Sequence, residues 1–315
     1  MSHSAPDPND AHGSVFDGLL DGSVGDASQW AFGTDFEDPL AGVDTTVPEG
    51  VDASALAAYC LMLGDDALVL SHRLSEWCSR APDLEDDIAL ANIALDLLGQ
   101  ARLLLARAAA ADPAVVPSLP AGSPVSPEDA LAFFRDAQDF RNVRIAEVAS
   151  GDFAHVVVRV LLVSAVRLAL LGRLSQSRDT VLSAVAAKGV KELTYHRDYA
   201  GRWFLTLARG TEESRRRLVG ALGLLWPLYA EMLTAHPLEV ALAADGVGVD
   251  PRTVADEVDV VLEQVLAVSG VDRPDRGAMA GVSGRTGRDG LHTEVLSLML
   301  AEMQVVARAH PEGRW

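Results

Sequence analysis

The sequence predicts an all-α protein, and three observations carry that expectation. Almost half of the 315 residues are hydrophobic while only 5% are aromatic, and no long stretch alternates apolar with polar as a half-buried strand would. The apolar residues gather instead in segments of about twenty or more, recurring at three and four residues. Ser, Thr, Asp and Pro stand before several of these segments in the order that starts helices.

Residues 1–48 hold nine Asp and Glu and no Lys or Arg. They keep no sustained period and read as an acidic disordered extension, leaving residues 49–315 as one helical domain. Trp30, Phe32 and Phe36 form a candidate docking motif there, against the plainer expectation of a solvated tail. The first predicted helix runs from Asp52 to Ser79. The second follows Pro82, capped by Asp83, with Glu85, Asp86 and Asp87 at its positive end and Arg102 and Arg107 toward the other. After a Pro/Gly/Ser-rich loop, Ser126-Pro127-Glu128-Asp129 starts a third helix over 127–149. A fourth, the most apolar, covers 152–176, a fifth 179–208 and a sixth 211–235, ended by His236-Pro237. A short helix at 238–243, another from Asp250-Pro251 to Val268 and a last one over Leu291–Ala309 complete the chain. Residues 270–290 hold six glycines and four arginines without a period and read as a loop. They lack the spacing of a phosphate-binding loop and follow a helix where that motif needs a strand.

Four long helices, the first, second, fourth and fifth, with one long connection between the second and fourth, suit a ferritin-like four-helix bundle with additional helices. Net charge is −19, which argues against nucleic acid or an anionic membrane as partner. Residues 156–174 are the most lipid-like run, but Arg159, Arg167 and Arg173 interrupt it, as in a core helix rather than a membrane span. Cys60 and Cys78 lie on one predicted helix about 27 Å apart, beyond disulfide reach. Reduced cysteines and the lack of a basic, apolar leader fit a cytoplasmic protein.

The first two helices carry polar residues on otherwise apolar faces. Asp65, His72 and Glu76 share one side of the first; Asn92, Asp96 and Gln100 recur every four residues on the second. Buried polar groups need a partner, a metal or water. Ferritin-like bundles often hold two irons with one carboxylate from each of two helices and a Glu-x-x-His pair from each of the other two. Here the corresponding stretches read Leu97-Leu98-Gly99-Gln100 and Leu193-Thr194-Tyr195-His196, and no Asp or Glu occurs between Phe153 and Arg178. Asp152-Phe153-Ala154-His155 has the right spacing, but its place at a helix start makes Asp152 an ordinary cap. No catalytic, cofactor-binding or metal-binding residue is therefore expected in this chain. The alternative is a ferritin-like di-iron oxidase with an atypical ligand set drawn from Asp65, His72, Glu76, Asp96, Glu192 and His196. Without metal, Asp65, Asp96 and Glu192 need countercharge. Arg167 is the first candidate, then Arg73 and Lys191, in an Arg–carboxylate network filling the volume of a di-iron centre; unrelated polar pairs at helix contacts are the other possibility.

Residues 59–102, YCLMLGDDALVLSHRLSEWCSRAPDLEDDIALANIALDLLGQAR, resemble the hallmark segment of the C subunits of phenylacetyl-CoA 1,2-epoxidases. KELTYHRDYAGRWFLTLARGT (191–211), AADGVGVDPRTV (243–254) and GRDGLHTEVLSLMLAEMQ (287–304) match the same family in order. The resemblance covers about residues 52–315. It implies a non-catalytic, ferritin-like structural subunit that has lost its di-iron site and pairs, as a hetero-oligomer, with a catalytic A subunit that keeps one. The implied complex serves aerobic phenylacetate catabolism: a monooxygenase that adds one atom of O2 across the aromatic ring as an epoxide, with electrons from NADPH through a flavin and iron–sulfur reductase subunit. For the pairing surface, the first and second helices and the end of the fifth are the expectation. Arg285 and Arg288 are weighed as contacts for CoA phosphates or a partner's acids, against simple solvation.

Overall fold

The computed structural model describes residue 40 and residues 42–313 apart from 278 and 280. Ten α-helices are seen among the described residues: α1 (Ala53–Ser75), α2 (Leu84–Ala111), α3 (Pro127–Phe133), α4 (Arg144–Glu147), α5 (Phe153–Leu174), α6 (Thr180–Arg209), α7 (Glu212–Tyr229), α8 (Pro237–Ala244), α9 (Ala255–Ser269) and α10 (Glu294–Ala309). The fold is the expected all-α, ferritin-like bundle.

Local chemistry sets most helix starts. Asp52 accepts from the Ser54 and Ala55 amides, Asp83 from Asp86, Asp152 from His155, Asp179 from Leu182 and Thr211 from Ser214. Each such cap contributes about 1 kcal/mol. Asp152 and His155 are thus a helix start, with His155 Nδ1 2.7 Å from the capping carboxylate.

α1 packs on α2 and α5 on α6, and the second pair returns along the first. Side-chain contacts give the directions. The Ser71 hydroxyl donates to the Ala94 carbonyl across the α1–α2 seam, while Gly64 lies beside Leu104 and Leu105, so α1 and α2 run antiparallel. α2 and α6 are antiparallel too: Gln100 meets Glu192, Asp96 meets His196 and Asp86 meets Trp203. α1 is buried on every side from Tyr59 to Ser71, so its middle is the centre of the bundle and offers no face to a partner. The expectation that the first helix takes part in pairing is thereby narrowed to its exposed ends, Ser54 at one and Ser75, Glu76, Cys78 and Ser79 at the other. Among the described residues three single helices, α1, α2 and α5, are long and apolar enough to cross a membrane by length and composition. α1 and α5 spend that surface on their neighbours, whereas half of α2's most apolar stretch stays outside.

The third predicted helix does not form over 127–149. α3 stops at Phe133, a single 3-10 turn occupies Ala137–Asp139, and α4 is one turn long. The cause lies on α1. The Arg141 amide donates to Asp65 Oδ2 at 2.9 Å and the Val143 amide to Asp66 Oδ1 at 2.8 Å. The Arg144 amide donates to Glu231. Backbone groups that a continuous helix would satisfy internally are used here to satisfy buried carboxylates. The last helix likewise starts three residues late, because the Thr293 amide donates to Glu147 Oε1 at 2.5 Å. The sixth ends early, at Tyr229, in a 3-10 turn over Ala230–Leu233 just after Pro227, which has no amide to donate.

Of the segment read as an acidic extension, residues 1–39 and 41, with the aromatic trio, lie outside the described residues. Its end is held. The Thr45 carbonyl accepts from Arg107 at 2.9 Å and the Asp44 carbonyl from the Thr180 hydroxyl. Arg107 is fully buried and also grips Asp179, the cap of α6, at 2.6 Å, so one guanidinium ties this strand of chain to two helices. Both cysteines are free, Cys60 inside α1 and Cys78 exposed beyond its end.

Candidate functional site

The four long helices meet around a narrow gap of about 10 Å³, lined by Leu70 and Leu74 of α1, Ile93 and Leu97 of α2, Val160, Val163 and Ser164 of α5, and Leu193 and His196 of α6. Such a volume holds at most about one water. Leu97, Leu193 and His196, read from the sequence as positions of the di-iron motif, therefore do converge, and Ser164 stands on the helix that lacks a carboxylate. Their register was legible; apart from His196 and Ser164 the lining is aliphatic. A di-iron centre requires about four carboxylates and two imidazoles, and this lining supplies one imidazole. That imidazole is engaged, with Nε2 2.9 Å from Asp96 Oδ2. The residues present do not fit the metal pair.

The atypical ligand set is dispersed as well. Asp65 takes a bidentate grip from Arg135, at 2.5 and 3.0 Å. His72 Nδ1 lies 3.2 Å from the Leu68 carbonyl of its own helix, and burial holds its pKa below the ordinary value. Glu76 pairs with Arg73 at the exposed end of α1. Glu192 accepts from Gln100 at 2.9 Å and lies 3.4 Å from Lys188. Among the described residues no three His, Cys, Asp or Glu side chains come together as a metal would need. The polar row on α2 fans outward: Asn92 is exposed, Asp96 lies at the margin and only Gln100 is buried.

An Arg–carboxylate network exists, but not the one expected. It runs beside the gap, which apolar side chains fill. Arg167 reaches the Gln100 amide oxygen at 3.0 Å, and through it Glu192, and stands 3.8 Å from Asp66. Asp65 has Arg135, Asp96 has His196, and the cation near Glu192 is Lys188 rather than Lys191. The group missed in the sequence is Asp66, whose carboxylate receives both arms of Arg288 at 3.0 and 2.9 Å. Arg288 also donates to the Met62 and Arg141 carbonyls. It is buried, which corrects both readings weighed for it, contact with phosphates or a partner's acids and simple solvation; of the two loop arginines weighed, Arg285 is the exposed one. Burial alone would lower the pKa of Arg288, yet the charges of Asp66 and Glu239 hold it above the ordinary arginine value. Two further buried carboxylates fasten loops: Glu147 to Asn142, His292 and the Thr293 amide, Glu231 to Arg144 and the Gly287 amide. The two ring nitrogens of His292 lie 2.7 Å from Glu147 and 2.9 Å from the Phe140 carbonyl. The sequence signal for this scaffold was the pair Asp65-Asp66 inside an apolar run, since two consecutive acids on one helix point to different neighbours.

Asp86, in the first turn of α2, accepts from Tyr199 at 2.9 Å and Trp203 at 2.7 Å through Oδ1, while its buried Oδ2 has no protein partner. Burial raises its pKa above 3.8, more than the two donors lower it. A carboxyl whose pKa is raised on folding stabilises the fold at pH below its unfolded value and loses that contribution as pH climbs through the folded value. Asp86→Asn keeps an acceptor for both donors, so it should be more stable than the parent at neutral pH. The advantage should vanish below pH 3.8, as urea midpoints measured across pH 3–8 would record.

Fold and site together define a ferritin-like bundle furnished with apolar side chains where oxygen-activating bundles place their metal ligands. In comparison with known proteins, the phenylacetic acid catabolic protein family matches residues 42–315. The chain is also 42% identical over 261 residues to the C subunit of the 1,2-phenylacetyl-CoA epoxidase of Escherichia coli (strain K12), across 82% of this chain and 99% of that protein. The chain belongs to the phenylacetic acid catabolic protein family.

Proposed function

We propose that this chain is a structural subunit of a phenylacetyl-CoA 1,2-epoxidase, working in the cytoplasm beside a di-iron catalytic subunit and its reductase, and carrying no metal or catalytic residue of its own. The relative's name supports membership of such a complex. The observation that carries the non-catalytic role is the gap ringed by Leu97, Leu193 and Ser164, with its single imidazole already bound to Asp96. Iron needs oxygen and nitrogen donors free to coordinate it, and the carboxylates nearby are taken up by Arg135, Arg288, Gln100 and His196. The chain's contribution is mechanical: a rigid bundle against which the metal-bearing one is held in shape.

The test compares the purified chain with the complex obtained by co-expression with the catalytic subunit. The chain alone should bind no stoichiometric iron and consume no O2 with phenylacetyl-CoA and reductant. The complex should do both. Two irons per isolated chain, or turnover by it, would overturn the reading in favour of a di-iron oxidase.

A further inference from the structure

α2 is apolar on two sides. Its inner side closes the central gap through Ile93 and Leu97. Its outer side carries Leu84, Ile88, Ala91, Leu95, Leu98 and Arg102, spaced by four, three, four, three and four residues. That alternation is the seam of a helix built to pack along another helix, knobs into holes. Among the described residues no helix lies on it: Leu84 is 69% exposed, Ile88 53%, Leu95 63% and Leu98 41%. Tyr195 of α6, half exposed, stands alongside, in register with Lys188 and Lys191 at helical spacing.

The charge along this face is ordered. Glu85 flanks its start, with Asp83 and Asp87 in the same turn. Arg102, paired with Glu128 yet 45% exposed, ends it, and Lys188 lies beside Gly99. Lys188 and Lys191 are the only lysines in a chain of net charge −19, so both stand at one end of one apolar stripe. The two ends, Glu85 and Arg102, are about 26 Å apart, from seventeen residues of helix rise. A partner helix laid antiparallel would bring its own N-terminal turn, where acids are favoured, against Arg102, Lys188 and Lys191.

We infer that the outer seam of α2, with Tyr195, Lys188 and Lys191 of α6, is the docking surface for one antiparallel helix of the metal-bearing subunit, apolar along its seam and acidic at its N-terminal end. This rests on the proposed function, which requires a second bundle. A second copy of this chain would meet the same charge pattern, but it would close the seam to the subunit that the function needs. Because Leu97 faces the gap and Leu98 the seam, the occupant would also brace the wall of the aliphatic core.

The experiment uses full-length chains co-expressed with the catalytic subunit. Leu95→Glu should weaken the complex by more than about 100-fold, as loss of a central anchor does, while the variant alone keeps the parent's circular dichroism and melting temperature. Lys188→Glu/Lys191→Glu should weaken it less and flatten its salt dependence. Val305→Glu, on the 58%-exposed outer side of α10, should leave it intact. A Leu95→Glu complex as tight as the parent's, with Val305→Glu disruptive, would overturn the inference while leaving the proposed function standing. A parent chain that dimerises alone and becomes monomeric on Leu95→Glu would give the seam to a second copy. If the parent never joins the catalytic subunit, the proposed function itself falls, and this surface with it.

Discussion

Arg288→Met should lower the stability of the isolated chain by about 3–5 kcal/mol, the usual cost of stranding one member of a buried ion pair. Asp66 is the group left behind. It would keep the Val143 amide at 2.8 Å and Arg167 at 3.8 Å, but lose two charged hydrogen bonds at once. The Met62 and Arg141 carbonyls lose their donor too. Because Arg288 sits in the 3-10 turn Gly287–Asp289 that leads into α10, the loss should be local first. Amide exchange should accelerate over residues 281–293 and along α10 before the rest of the bundle. Asp66→Asn in the same chain should recover part of the loss, since it removes the uncompensated charge. Arg167→Leu should cost less than Arg288→Met, because its direct partners are the Gln100 amide and the Leu63 carbonyl and its Nε is already without one. Denaturant titration of the three variants against the parent checks the order. Equal costs for Arg167 and Arg288 would mean that the charge of Asp66 is shared evenly between them.

Leu97→Glu should be as damaging, again about 3–5 kcal/mol, although it restores a residue type that a di-iron bundle would carry at this point. The new carboxylate would enter a gap of about 10 Å³ walled by Leu70, Leu74, Ile93, Val160, Val163 and Leu193. The one imidazole within it is committed to Asp96. Leu98→Glu, one residue along and on the exposed side of the same helix, should change stability by no more than about 0.5 kcal/mol. Iron added to the Leu97→Glu chain should restore nothing, since the remaining ligands are still missing. Recovery of its melting temperature by ferrous ion would show that the site needs fewer protein donors than its lining suggests.

Much of this protein is determined by its sequence alone. The long helices and their starts follow from apolar period and from local caps such as Asp83, Asp152 and Asp179, because both are interactions between residues close in the chain. The ligand-poor centre is also local in this sense: fixed spacings on two helices place Leu97, Leu193 and His196 at one level of a bundle, and the sequence says what they are. The tertiary structure decided what depends on pairs far apart in the chain. Asp65 chose Arg135 and Asp66 chose Arg288, 70 and 222 residues away, where the place of Arg167 in the middle of the most apolar helix had made it the first candidate. The same two carboxylates captured the amides of Arg141 and Val143 and so abolished a helix that local propensity favoured. Burial of a charge outweighs propensity because an unpaired buried carboxylate costs several kcal/mol, whereas helix propensity differs by well under about 1 kcal/mol per residue. It also took the assembled bundle to show that the middle of α1 is enclosed while the seam of α2 is left uncovered, since exposure belongs to no single helix but to what the others leave open.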